Sequence, residues 1–455
     1  MVFDFLDVMD KVTKGQRMDE KEYDNLVFKK SMEMVKEYGF KCDPANPVPS
    51  DDQLADEIYE AGLRLAVDVG GWCLNTRRLI KITESEIKES LREAQKEYLA
   101  GEGRDAKKIF ARRPESTDRV FFLGGTYAPF TEEVAPTIAK AMAMLPIDGI
   151  SPFNHREISG RRIADMPLEV WANRREIEWT REGITKAGKP GLHVVNYPIS
   201  TKAAVITSVL QPNYIRKTDG VMTSPLPELF KIDYDCLTAN IVAREYGCLV
   251  ESDVAAMAGG YSGGYEGSTI VTLAGVLLTH AILSPVTISA DAGMHCLNPE
   301  LWATPETQWS HNLCVQAIAR NTLIKTRPSV ATSAEPCTLQ GLMEIAYCTI
   351  GVVVSGGCEV FTSRPVVPRR VNLPTPLEAK WGLEISRGAL GMSREEADDF
   401  IKKIEVPRQK LEVQLKGKSF VECYDLNTLT PNKEYLDIYD TAKKQLTDLG
   451  FNFKF

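Results

Sequence analysis

The sequence has no Cys-x-x-Cys pair among its ten cysteines, and the nearest neighbours, Cys236/Cys248 and Cys337/Cys348/Cys358, stand ten or more residues apart. Without paired spacing, a thiolate-rich metal finger or a redox dithiol has no basis, and reduced, mostly buried thiols are the expectation. A zinc centre needs only three protein ligands and stays open as an alternative. His295-Cys296 lends it little, since adjacent residues usually point apart. Basic charge is also short: 54 Lys and Arg face 62 Asp and Glu, a formal net charge of -8. Nucleic-acid partners select basic patches, so none is expected. A basic opening followed by an apolar core is lacking too, because Asp4, Asp7 and Asp10 interrupt the first residues. The expectation is a cytoplasmic protein with no signal peptide.

One stretch, 268–290, carries no formal charge and is long enough to span a bilayer. Thr269, Thr272, Thr279, His280, Ser284, Thr287 and Ser289 are scattered through it, and Pro285 breaks it. A buried helix followed by a buried strand explains it better than a membrane span.

What is present fits a globular protein: 44% hydrophobic and 25% charged residues over 455 positions. Segment 1–118 reads as a helical extension, with apolar residues at helical spacing over 51–67 and a capping box, Thr83-Glu-Ser-Glu86, leading into a helix over 87–98. Beyond Arg119 short runs rich in Val, Ile and Leu alternate with helical stretches: 120–123, 149–153, 192–196, 220–223, 248–252, 286–290, 329–332 and 352–355. Eight βα units predict an α/β fold, a (β/α)₈ TIM barrel over 119–394. The weakest candidate, 220–223, is short and ends in a loop holding Pro225 and Pro227. Segment 395–455 returns to helices, including 407–415 and an amphipathic 434–449, packing on the barrel.

Barrel enzymes place reacting groups where strands end. Those ends read Gly124-Gly-Thr126, Asn154-His155, Asn196-Tyr197, Thr223-Ser224, Glu251/Asp253, Asp291/His295, Ser333/Glu335 and Ser355-Gly356. Each acid alone also suits a loop cap or a surface ion pair; Asp253, Asp291 and Glu335 on successive ends suggest a shared polar mouth. The run Gly259-Gly-Tyr-Ser-Gly-Gly264 lacks the lysine of a phosphate loop and the spacing of a dinucleotide fingerprint. It reads either as a turn before a helix near Ser268 or as a rim where backbone meets something flat and bulky.

That glycine run, followed by Thr269-Ile-Val271, resembles the monomethylamine methyltransferases of methylotrophic methanogens. So do Phe420-Val-Glu-Cys-Tyr-Asp425, Thr430-Pro431, Glu434-Tyr435, Tyr439-Asp440 and Asp448-Leu-Gly-Phe451. Gly103-Arg-Asp-Ala106 and Lys231-Ile-Asp233 follow the same order, so the resemblance covers most of the chain. It implies a barrel, a symmetric homo-oligomer, and methyl transfer to the Co(I) corrinoid of a separate corrinoid protein. No D-x-H-x-x-G cobalamin motif occurs here, so no cofactor is expected within the chain itself. By this alignment Gly259, Gly260, Gly263 and Gly264 face the corrinoid.

In that family the position aligned with Val195, in Leu192-His-Val-Val-Asn-Tyr197, carries pyrrolysine, an electrophile for the amine substrate. Asp253 aligns with a glutamate, and Ser329 and Ala331 with a glutamine and a tyrosine around that residue. The electrophile and its surroundings change together, which reads as respecialisation. A quaternary ammonium needs no imine, because it already carries a neutral tertiary amine as leaving group. Asp253, Asp291 and Glu335 would supply charge to its pocket, and Tyr197, Tyr261 and Trp302 cation–π faces. His193, Val195, Asn196, Tyr197, Tyr261, Ser329 and Ala331 are the expected substrate-binding set, and Asp253, Asp291, Glu335 and His295 the catalytic one. An O- or S-methyl donor, with or without zinc assistance, is the alternative, with His193, His295 or Glu335 as acid. A binding or regulatory relative without catalysis is another. No residue is assigned to a metal.

Overall fold

The computed structural model describes residues 4–125, 128–226, 230–361, 364–365, 367–406 and 415–454, with the side chains of 224–226 and 364 left aside. Thr126, Pro227 and most of the helix expected over 407–415 therefore lie outside the described residues.

Eight parallel strands form the centre: β1 (Phe121–Gly124), β2 (Gly149–Ile150), β3 (His193–Asn196), β4 (Gly220–Leu226), β5 (Leu249–Ala258), β6 (Thr287–His295), β7 (Lys325–Thr326) and β8 (Glu359–Phe361). They are ordered 7-6-5-4-3-2-1-8, and the Cys358 N–H donates to the Thr326 carbonyl at 3.0 Å across the remaining seam. Each strand is followed by a helix, from Ala135–Ala143 after β1 to Pro376–Gly388 after β8. The fold is an α/β TIM barrel.

The alternation of side chains along each strand sorts inside from outside. Val254, Ala256, Ile288, Ala290 and Ala292 pack outward in one core cluster with helix Tyr265–Leu283. Glu251, Asp253, Thr287 and Asp291 therefore face inward. Helix Tyr265–Leu283 is long and apolar enough to cross a membrane, but here it is a buried core helix between β5 and β6.

Two strands differ from expectation. The seventh is 325–326, and 331–332 instead pairs with 364–365 in a small separate parallel ladder. The eighth is 359–361, whereas 352–354 ends helix Leu339–Val354 and Ser355 is its C-cap. A buried helix is apolar all round, so its Val-rich end mimics a strand. Strands β5 and β6 run longer than predicted, which puts Asp253 and Asp291 within strands and not on loops.

The N-terminal segment is also less uniform than its periodicity predicts. The Thr83 capping box is present and opens helix Glu84–Glu93, but Tyr98 belongs to strand Glu97–Ala100, paired antiparallel with Lys107–Phe110. This hairpin closes the N-terminal end of the barrel. Gly101 N–H donates to Thr218 O at 2.9 Å and Glu102 N–H to Gly191 O at 2.8 Å, just before β4 and β3. Tyr98 and Ile109 then pack with Phe121, Leu123 and Val195 inside.

Charged side chains join the outer helices to the barrel. Arg394 bonds Asp52 at 2.7 Å, Glu115 at 3.0 Å and Gln316 at 3.1 Å. Arg112, buried at the entry to β1, donates to the carbonyls of Asp118, Val353, Gly357 and Ser116 at 2.6–3.2 Å. It thereby holds the approach to β1 against that to β8, beside the closing seam. Replacing it strands four acceptors, so Arg112→Ala should lower stability by about 3 kcal/mol. Chemical denaturation checks this; a loss under about 0.5 kcal/mol would show that solvent satisfies those carbonyls.

Candidate functional site

The interior of the barrel has an ionic layer, which begins with a close approach. Gly220 pairs with Val195 across β3 and β4, and a Cβ there would lie 2.3 Å from Glu251 Oε1 and 3.2 Å from Val195 Cγ2. The missing side chain lets Glu251 extend across the barrel. Its Oε2 lies 2.5 Å from Arg327 Nη1, which is also 3.5 Å from Glu359 Oε2. Glu359 Oε1 accepts from Thr287 Oγ1 at 2.8 Å and from the Tyr98 hydroxyl of the hairpin at 3.1 Å. All five side chains are buried. His193 lies at the edge of this layer, Nδ1–H donating to Thr218 O at 2.8 Å and its ring edge-on to Phe121.

Two carboxylates sharing one guanidinium leave a surplus negative charge in a dry interior. Burial pushes the Glu251 carboxyl up to about 7; Arg327 pulls against this, and Glu359 adds to it. Burial disfavours a charged Arg327 as well, but Glu251, Tyr197 and Glu359 outweigh it and hold the guanidinium well above its ordinary value. Burial pushes His193 down, keeping its imidazole neutral.

Above this layer, Arg327 sits 5.1 Å from the Tyr197 ring centroid, and Tyr197 stacks on Phe361 at 5.5 Å. The cation on Tyr197 is thus the chain's own. Val195 is fully buried in the cluster of Tyr197, Met222, Phe361, Leu123 and Tyr98.

The acids at the mouth come next. Asp253 pairs in register with Ser289, and Ala255 with Asp291, so the two acids are diagonal neighbours on the inner face. Asp291 is held firmly: Ser329 donates its N–H at 2.8 Å and its hydroxyl at 2.6 Å, and His311 Nε2 lies 3.4 Å away. Ser329, picked out by sequence, thus orients Asp291, and His311 was not anticipated. His311 stands under Trp302, ring centroids 5.1 Å apart.

The remaining expected residues fall elsewhere. Glu335 is buried on Arg370, at 2.5 Å and 3.3 Å, and accepts from Gly417 N–H at 3.0 Å. Its carboxylate is held by Arg370 and by the Gly417 N–H of the C-terminal segment, which it helps fasten down. Ala331 is buried in the outer core, and Asn196 is fully buried with both side-chain polar atoms lacking partners among the described residues. Tyr261 is half exposed on the rim. His295 ends β6 beside Gly259, where a Cβ would lie 3.3 Å from His295 Nε2. Gly259 and Gly263 have φ of 82° and 80° and make the turn before helix Tyr265–Leu283. Gly263 also seats Met32, whose sulfur would be 2.5 Å from a Cβ, so a structural demand accounts for that glycine. Gly259 and Gly264 are exposed, leaving a rim poor in side chains; Gly260 is half-buried. No three His, Cys, Asp or Glu residues converge as a metal-ligand set among the described residues.

A hairpin-plugged barrel with an ionic floor and two inward carboxylates towards its open end defines the class as an α/β TIM barrel with a polar mouth. The family comparison narrows this. The model of the family described as "Monomethylamine methyltransferase MtmB" matches residues 3–451, and the chain belongs to that family of methyltransferases. It is 28% identical to monomethylamine methyltransferase MtmB2 of Methanosarcina barkeri (strain Fusaro) over 462 residues, covering 99% of both chains. Against MtmB of Methanosarcina mazei the identity is also 28%, over 467 residues and 99% of each. Among solved structures, the hydroxylamine MtmB complex superposes with a TM-score of 0.91 at 26% identity, covering 100% of this chain and 99% of that one. The Methanosarcina barkeri monomethylamine methyltransferase gives 0.90 at 27%, with the same coverage.

The buried Glu251 makes a pH-dependent contribution to stability. Its carboxyl titrates at about 7 when folded, against an ordinary 4.5. Between these values the folded state holds a proton that the unfolded state releases. The contribution is therefore complete below about pH 4.5 and is lost as pH rises through about 7. Glu251→Gln keeps the neutral form at every pH, so its denaturation midpoint should fall less than wild type's between pH 5 and pH 8. Equal slopes for both proteins would mean that Glu251 stays ionised throughout.

Proposed function

We propose that the chain moves a methyl group from a small methylated ammonium compound, a quaternary one by preference, to the Co(I) corrinoid of a separate corrinoid protein. The observation that carries this is the pair of inward carboxylates, Asp253 and Asp291, in a barrel of this family whose aligned electrophile position is a buried valine, Val195. The corrinoid supplies the nucleophile, so the chain needs no nucleophilic side chain. It must hold the donor, point one methyl outward and exclude water. The glycine rim, with Gly259 and Gly264 exposed and few side chains standing above the backbone, suits the approach of a flat macrocycle.

Charge dictates the division of labour. When a methyl leaves a quaternary nitrogen, the C–N electron pair stays on nitrogen and a neutral tertiary amine departs. No proton is needed, which agrees with Glu335 being tied to Arg370. The positive charge fades along this path, so carboxylates favour the bound donor more than the transition state. Asp253 and Asp291 thus act chiefly in capture and orientation, with Ser329 fixing the second. Arg327 and Phe361 already stand against the Tyr197 ring, so charge, more than contact with that ring, selects the donor.

The test is incubation with a reduced corrinoid protein and a panel of methylated amines, ethers and thioethers, following the visible absorbance of the corrinoid. Transfer from a quaternary ammonium is expected. Transfer only from ethers or thioethers would replace this reading, and transfer from none would favour a binding role. Asp253→Asn should raise KM about tenfold or more and change kcat little, since removing one partner of a desolvated charge pair costs about 2 kcal/mol or more. An unchanged KM would take Asp253 out of the donor site.

A further inference from the structure

At the closed end of the barrel, opposite the carboxylate mouth, lies a cavity of about 360 Å³. Its walls come from the plug hairpin, from the residues entering β1, β2 and β3, and from the end of helix Pro376–Gly388. Five of its lining residues are cations, Arg104, Lys107, Arg119, Lys189 and Arg387, against two acids, Asp105 and Asp148. The lining therefore carries a formal +3 (five minus two) in a chain of -8.

Both acids already have partners. Asp148 pairs with Arg119 and accepts the Phe122 N–H at 2.9 Å. Asp105 accepts the Gly191 N–H at 3.0 Å and lies 4.0 Å from Arg104. Arg104 donates to the Gly188 carbonyl and Lys189 to that of Leu145, but neutral carbonyls leave the positive charge uncancelled. Lys107 and Arg387 have no ion pair among the described residues. Lys189 is held below its ordinary value, by burial first and with repulsion from Lys107 adding to it, against the pull of Asp105 and Asp148. Uncompensated cations around a concavity mark an anion site, because each gains from a charge-assisted bond that water supplies less well. Val120, Ile147, Leu192 and Leu383 give the same cavity an apolar floor, and its size is that of a small-molecule pocket.

We propose that this cavity binds a small molecule bearing a phosphate group and a compact apolar part, with Lys107 and Arg387 as its free cationic contacts. Three uncancelled charges match a dianionic phosphate better than a monocarboxylate, and the floor receives the rest of the molecule. Because one wall is the hairpin carrying Tyr98, the ligand bridges the plug to the strand entrances and tightens the closed end of the barrel.

The test uses the full chain and three probes at constant ionic strength: inorganic phosphate, phenyl phosphate and sodium chloride. Calorimetry and thermal unfolding should give saturable binding and a rise in Tm for both phosphate compounds, with the ester bound more tightly, and no effect from chloride. The double variant Lys107→Ala/Arg387→Ala changes half-buried and exposed positions, so it should fold like wild type by circular dichroism. It should bind both compounds about tenfold or more weakly, as expected for two lost charge-assisted contacts. Undiminished binding in that variant, an equal response to chloride, or no saturable binding by either phosphate compound would overturn the proposal. Equal affinity for phosphate and the ester would refute the apolar part.

Discussion

A single guanidinium, Arg327, sits fully buried at the core of the barrel between Glu251 and Glu359, and the remaining architecture is arranged around it. A charge in a dry interior is tolerable only when paired and hydrogen-bonded. That requirement accounts for several otherwise separate features. Gly220 leaves room for Glu251, the hairpin brings Tyr98 to Glu359, and Thr287 fills the remaining bond. The plug is thus part of the electrostatics, since without it Glu359 loses a donor and the layer meets solvent.

Arg327 also shapes what lies above it. With Arg327 over the Tyr197 ring and Phe361 stacked on that ring, the centre of the barrel is packed and is not an open aromatic cage. Val195 is sealed within that stack, among Tyr98, Leu123, Tyr197, Met222 and Phe361. Polarity returns one step higher, where Ser329 fixes Asp291 beside His311 and Asp253 stands diagonally from it.

The same ionic layer decides what was legible in the sequence. Strands β1 to β6 announce themselves through runs such as Val194-Val195 and Ile288, and their places were found to within a few residues. Strands β7 and β8 were misplaced because their inward positions carry Lys325 and Glu359 where an apolar pattern was sought. The residues that hid those strands are the ones that build the interior. Tyr98 was hidden differently, since a helical pattern was extended across a short hairpin. Asp253 and Asp291 drew notice because each follows a predicted strand, and Asp253 and Ser329 because the family resemblance aligns them with residues around its electrophile; the structure brings Ser329 onto Asp291. His311, one helix away from any strand end, gave no comparable signal. The ion pair of Glu335 with Arg370 and its bond from Gly417 were not legible, because those partners are distant in sequence and only the fold unites them.

The central claim is that the mouth selects a methylated cation by charge, with no covalent capture. Calorimetric titration of the chain alone, with no corrinoid protein present, tests it most directly. The ligands are tetramethylammonium and neopentane-shaped neutral alcohols of equal size. Saturable binding of the cation, with none of the neutral isostere, is the predicted result. Equal binding of both, or binding of neither, would contradict it.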